Sequence, residues 1–317
     1  MEAFSDILFS VFIVNFYLLI VNNIYGKIGL FLLGFTLVFN VYTTFSQAIT
    51  INGQVDFFPS IVNAQLTEPD TPRVSTVTLT PKGESHESWS FQFPDYYTDI
   101  QEGNLIDIRV VCDYPKGIGK DESWEYPDVS PAYDFIANFL KNYPNKNAYW
   151  EVINKDLTQA LLTENMTTSW GMTYVLGDFV DGITVDIDVH PGKIPISRSS
   201  TVLATSLGDF HEAWSFAFED YYTEIQGGNV LDINVSYDYV SEIGKNEELA
   251  YPEFTQIYDF IDNFLKEYPN RKEYWEVVTK NLTETLLTQA IPTEFGFDYD
   301  LAKVVDSLTV EIYIEPK

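Results

Sequence analysis

His86-Glu-Ser-Trp-Ser-Phe91 and His211-Glu-Ala-Trp-Ser-Phe216 each place a histidine beside a glutamate. Such pairs invite metal binding or acid/base work. Both stretches read as strands, where consecutive side chains face opposite ways, so His86 and Glu87 do not converge. One His per stretch also falls short of the three protein ligands of a catalytic zinc. The chain holds three His and one Cys, which excludes a Cys-rich zinc site and an intramolecular disulfide framework. Asp95, Asp99, Glu102, Asp107 and Asp113 form an acidic stretch without the D-x-D-x-D-G spacing of a calcium loop. It reads as a solvated acidic face, with weak calcium binding as the alternative. No glycine-rich phosphate loop, nucleophile elbow or paired-His motif is present, and the expectation is no cofactor and no metal.

The charge balance sets the partners. Lys and Arg number 18 against 47 Asp and Glu in 317 residues, a net charge of −29. Nucleic-acid binding depends on basic residues neutralising phosphates, so it is excluded, as is electrostatic docking to anionic lipid. Hydrophobic residues make up 45% of the chain, enough to build packed cores rather than a disordered polyanion.

Residues 1–48 read as a targeting segment. The run Ile28–Tyr42 follows Lys27 and ends in Thr-Thr-Phe-Ser-Gln-Ala, the order of a basic region, an apolar region and a small-residue cleavage site with Ser46 and Ala48 at −3 and −1. The earlier run, Ile7–Val21, has an acidic flank instead, so a membrane anchor stays open beside a cleaved signal peptide. Each run has 15 residues, short of the ~20 of a spanning helix. The expected location is outside the cytoplasm, in a bacterial periplasm, a lumen or the extracellular space, with membrane contact only through this segment.

The remainder is one module written twice. Residues 73–191 align with 198–316 without a gap at an offset of 125, with 62 of 119 positions identical. The period is far longer than that of solenoid repeats, so each copy is expected to be a domain with its own core. The parts are then a lead-in at 49–72, module one at 73–191, a linker at 192–197 and module two at 198–317. Alternating apolar residues predict strands at Val74–Thr80, His86–Phe93, Ile106–Tyr114 and Leu308–Ile314, with a shorter one at Phe295–Leu301. Ile257, Phe260, Ile261, Phe264, Leu265 and Tyr268 follow helical spacing up to Pro269, and a second helix runs from after Asn270 to about Leu287. The order is read as ββααββ, an α+β fold of two tandem modules, each an antiparallel sheet with a helical pair on one face.

That order, the Ile-Tyr-Asp-Phe-Ile helix, the Trp-Glu-Val-Val-Thr-Lys-Asn-Leu helix and the closing strand up to Pro316 resemble the tunnelling-fold superfamily. The similarity is to dihydroneopterin aldolase modules, arranged in tandem as in urate oxidase. The resemblance implies that Glu151 and Glu276, at the start of the second helix, anchor the N–H groups of a pterin- or purine-like heterocycle. The plain alternative is a first-turn Glu favoured by the helix dipole. The aldolases' base Lys is replaced by His190 in one copy and Glu315 in the other, and their Tyr by Val129 and Phe254. These departures argue against aldolase activity, with His190 left as a candidate base.

The expected function is a non-catalytic binding or assembly protein. A heterocycle binder or enzyme using Glu151 and Glu276, and a calcium-binding acidic surface protein, are the alternatives. Exposed outer strands predict self-association, as a continuous two-module sheet or a ring of chains.

Overall fold

The computed structural model describes residues 72–81, 85–119, 126–192, 194–246, 249–292 and 298–315. The targeting segment at 1–48 and nearly all of the lead-in lie outside these residues. Among the described residues no helix is long and apolar enough to cross a membrane.

In chain order the first copy contains β1 (Arg73–Leu79), β2 (Ser85–Thr98), β3 (Asn104–Tyr114), α1 (Ser130–Asn142), α2 (Trp150–Thr163), the short pair β4 (Asn165–Thr167) and β5 (Thr173–Val175), and β6 (Gly182–Val189). The second copy contains β7 (Ser197–Thr205), β8 (Phe210–Thr223), β9 (Asn229–Tyr239), α3 (Phe254–Glu267), α4 (Trp275–Thr288), β10 (Ile291–Pro292), β11 (Asp298–Tyr299) and β12 (Val305–Ile314).

This corrects the expected fold of two ββααββ modules, each with its own sheet. Among the described residues there is one antiparallel sheet of eight strands in the order β1-β2-β3-β6-β7-β8-β9-β12, accompanied by four α-helices. Three strands precede each helical pair and one follows it. The first strand counts separately because seven residues of β1 pair in register with β2. The segment before the last strand does not join the sheet, because β4–β5 and β10–β11 pair only with each other. The two sheets merge because β6, the last strand of copy one, pairs along its whole length with β7, from Gly182↔Thr205 to Val189↔Arg198.

Register puts the apolar residues on one face. Directly paired residues share a face, so Val110, Val185, Val202 and their neighbours form one buried layer across four strands. The helices cover this layer. Tyr133 of α1 stacks on Phe91 and Phe93 at 4.9 and 4.6 Å, and Phe254 of α3 lies 5.9 Å from Phe216. The opposite face carries Thr184, Asp186, Ser199, Thr201, Ser215 and Asn234, all partly exposed.

The junction is pinned by Asn154 of α2. Its amide donates to the Val185 carbonyl at 3.0 Å, the Ser200 carbonyl at 2.8 Å and Ser200 Oγ at 3.1 Å, all fully buried. Asn154→Ala removes three buried hydrogen bonds across the junction, so urea unfolding should show a loss of about 1–3 kcal/mol. A loss within about 0.5 kcal/mol, as for a surface substitution, would show that the amide does not hold the junction.

Candidate functional site

A cavity of about 430 Å³ opens where the two copies meet. Its walls come from the β2–β3 turn (Gln101–Asn104), the first turn of α2 (Trp150, Glu151), the inner face of β7 and β8 (Arg198, Trp214) and the start of α3 (Glu253, Phe254). The β2–β3 turn is shaped by left-handed backbone. Gln101 has φ 50° and Gly103 φ 100°, a conformation that costs a non-glycine residue on the order of 1 kcal/mol. The turn is held by the Gln101 backbone N–H to the Lys146 carbonyl at 2.6 Å and the Gln101 amide to the Ala148 carbonyl at 2.9 Å. That leaves Gln101 Oε1 facing the second copy, where it accepts from Arg198 Nη1 at 3.2 Å. Asn104 Oδ1 accepts from Arg198 Nη2 at 3.2 Å.

Arg198 is thus a buried cation on an inner strand position, held by two neutral amides rather than a bonded carboxylate. Burial pulls its pKa down, while the charges of Glu151 and Glu253 push it back up. Trp150, Trp214 and Arg198 each retain one buried N–H, on the indole or on guanidinium Nε, with no acceptor among the described residues. Beside the cavity, Lys155 Nζ reaches Glu212 Oε1 at 2.6 Å across the junction, and Glu212 Oε2 accepts from the Tyr251 hydroxyl at 2.6 Å.

Glu151 is the most displaced acid among the described residues. Its side chain is buried, and desolvation pushes its pKa up to about 8. Its own backbone N–H and the Tyr239 hydroxyl, 3.0 Å from Oε1, pull the other way, while Glu253 and Glu212 add to the upward push. Glu276 has the same sequence neighbours but is exposed, because no described residues stand over α4 as copy two stands over α2. The structure therefore separates the two glutamates that sequence treated as a pair. His190 is not in this cavity. It lies past β6, with Nε2 3.1 Å from Asp107 Oδ2, and Asp95, Asp107 and His190 bring their ligand atoms within 4.8 Å of one another. The Asp95 backbone N–H already donates to Asp107 Oδ1 at 2.7 Å, and the group is open to solvent, as an ion pair on an acidic surface would be. His86 and His211 are exposed on β2 and β8, each 3.6 Å from an aspartate, while the following glutamates point to the other face.

Sequence reasoning missed Arg198, Gln101, Asn104, Trp214 and Tyr239. A usable signal was present. Arg198 stands in the inward phase of Arg198, Ser200, Val202 and Ala204, and Arg73, Gln226, Asn229, Trp89 and Tyr114 repeat the set in the other copy.

The raised acid has a thermodynamic consequence. A group with a folded pKa near 8 and an ordinary value of 4.5 holds its proton in the folded state after the unfolded chain has released it. Its contribution to stability is complete below about pH 4.5 and is lost as pH rises towards 8. Glu151→Gln removes this dependence. Thermal or urea unfolding from pH 5 to 8.5 should show the variant gaining on the wild type, by a few kcal/mol at the upper end. Parallel profiles would mean that Glu151 is ionised and solvated in the folded protein. No protein-family model, curated protein or solved structure matches the chain, so its function is argued from this geometry.

Proposed function

We propose that the protein is a non-catalytic binding protein whose inter-repeat cavity takes a small planar heterocycle bearing adjacent N–H donors. One observation carries the reading. Glu151 is a buried carboxyl group, kept largely protonated by desolvation, in the wall of a cavity flanked by Trp150, Trp214, Tyr149 and Phe254. A ligand offering two parallel N–H groups supplies what the ionised carboxylate lacks there. The aromatic walls suit the faces of a flat ring, and the volume is in the range of small-molecule sites, about 300–1,000 Å³. Arg198, Gln101 and Asn104 provide polar groups at the mouth. The described lining residues include no His, Cys, Ser or Lys, and Glu102 and Glu253 are the carboxylates beside Glu151. The signal-like order of residues 1–48 and the acidity of the remainder support an exported setting.

A second reading rests on the same residue. A carboxyl group with a pKa near neutrality is suited to general acid or base work, in which case the heterocycle is converted rather than retained.

The test is a thermal-shift and calorimetry panel of pterins, purines and calcium on the full chain, with product analysis of each mixture. The expected result is a heterocycle-induced rise in Tm with the ligand recovered unchanged. Glu151→Gln should weaken binding roughly 10- to 100-fold, the loss of about 1.5–3 kcal/mol of charged hydrogen bonding. Because the ionised form binds, wild-type affinity should rise between pH 6 and 8 and level off above that. Recovery of a converted product would establish the second reading. A response to calcium alone, or heterocycle binding unchanged in Glu151→Gln, would overturn both.

A further inference from the structure

We infer that the chain assembles head to tail with copies of itself, β12 of one chain pairing with β1 of the next in the register that β6 makes with β7. A second composite site is then built from two chains.

The intrachain junction is the template. Seven of its partners recur 125 residues away, at the two outer edges of the described sheet, while Asn154 is replaced there by Thr279. Arg198, Glu212 and Trp214, which copy two brings to the junction, correspond to Arg73, Glu87 and Trp89 at the β1 edge. Gln101, Asn104, Glu151 and Lys155, which copy one brings, correspond to Gln226, Asn229, Glu276 and Lys280 at the β12 edge. All seven are identical in type. The ion pair between Lys155 and Glu212 thus has a ready counterpart between Lys280 of one chain and Glu87 of the next. The Glu87 side is already arranged as Glu212 is, accepting from the Tyr126 hydroxyl at 2.6 Å where Glu212 accepts from Tyr251.

Burial shows the same thing by contrast. The inner positions of β7 are closed, with Val202 at 1% exposure, whereas every residue of β1 is exposed and the equivalent Val77 stands at 57%. Helix α2 buries Trp150, Glu151, Asn154 and Thr158 under copy two, and α4 leaves the equivalent Trp275, Glu276, Thr279 and Thr283 partly or fully exposed. Among the described residues β1 and β12 are the end strands of the sheet. Apolar, in-register edges of this kind are templates for further pairing. The two edges differ from each other, so their union is heterologous and gives a ring if the rotation closes and a filament if it does not.

Transferring the β6–β7 register by the offset of 125 sets Leu308 opposite Leu79, Val310 opposite Val77, Glu311 opposite Thr76, Ile312 opposite Ser75 and Ile314 opposite Arg73. The interchain site differs from the internal one where Asp128 and Val129 replace Glu253 and Phe254 and where Gly227 and Lys272 replace Glu102 and Asn147, so its wall is less aromatic and less acidic. This inference stands on the packing of the junction and does not require the ligand reading.

Light scattering of the full chain in mild detergent should give a mass of two or more chains. Lys280→Glu and Glu87→Lys should each weaken assembly at least tenfold, and mixing the two variants should restore it. In the mixture the two substituted positions meet at one interface with their charges exchanged, and the native pair forms at the other. This rescue separates edge pairing from association through residues 1–48, which neither substitution touches. Thr76→Cys with Glu311→Cys, or Ser75→Cys with Ile312→Cys, should cross-link between chains on oxidation, while Thr76→Cys with Ile314→Cys should not; the native Cys112 is buried. Glu151→Gln should assemble normally even where it abolishes heterocycle binding. A single-chain mass for the wild type, or assembly indifferent to both charge changes, would overturn the proposal.

Discussion

The backbone ladder between β6 and β7 draws the inner side chains of two similar modules into one dry layer, and the electrostatics of the molecule turn on that layer. Once the strands pair, Arg198 and Glu212 lie on the buried face beneath α2, and neither can be left without partners. Lys155 and Tyr251 answer Glu212, and the amides of Gln101 and Asn104 answer Arg198. Glu151 has only a tyrosine hydroxyl and its own backbone. The cavity forms at the point where strand pairing forces burial and the supply of partners runs short.

The overall charge makes this arrangement more demanding. With 47 acidic residues against 18 basic ones, most carboxylates rely on water. On the sheet's open face that is satisfied, and Asp186, Asp232 and Asp238 stay partly exposed. At the junction Glu151 and Glu212 are buried, and Glu151, Glu212 and Glu253 all act on the same region. Replacing such groups by apolar ones of similar size is often neutral or stabilising. Glu212 is paired there by Lys155 and Tyr251, and the proposed binding role accounts for Glu151.

How much of this could be read from sequence depended on the range of the interaction. The helix carrying Ile257, Ile261 and Leu265 and the strands around Ile108 and Val310 were legible because period alone records which face is buried. The repeat was legible because it needs only comparison of the chain with itself. The strand count was not. Residues Val74–Thr80 alternate well enough to be read as a strand, but the order ββααββ has no place for it, and only its pairing with β2 shows it to be a third strand of the sheet ahead of the helices. The stretch Phe295–Leu301 alternates well enough to read as a strand, yet within its described part only Asp298 and Tyr299 pair, and they pair outside the main sheet. The site was half legible. Glu151 was marked by its place in the helix, but nothing local distinguishes it from Glu276. Its burial is imposed by Arg198, Trp214 and Tyr239, which are 47 to 88 residues further along the chain.

That difference between identical residues bears on what a duplication does to a site. A single copy owns both halves of the constellation but cannot bring them together, since Gln101 and Glu151 lie at its trailing edge and the Arg73 equivalent at its leading edge. Duplication joins one trailing edge to one leading edge and so creates one complete site from two incomplete ones. The same two halves recur at β1 and β12, the end strands among the described residues. If the site served only the internal junction, Arg73, Gln226, Asn229, Glu276 and Lys280 would be ordinary surface residues, interchangeable with other polar types. Positions of that kind have changed elsewhere in the repeat: Asp188 stands against Tyr313, Arg109 against Asn234 and Asp178 against Lys303. Seven junction residues keep their types in both copies, although Asn154, Glu253 and Phe254 give way to Thr279, Asp128 and Val129, and some outer-face residues, such as Thr184 and Thr309, are kept as well. The proposed edge pairing accounts for those seven, since each then meets in the next chain the complement it has at the internal junction.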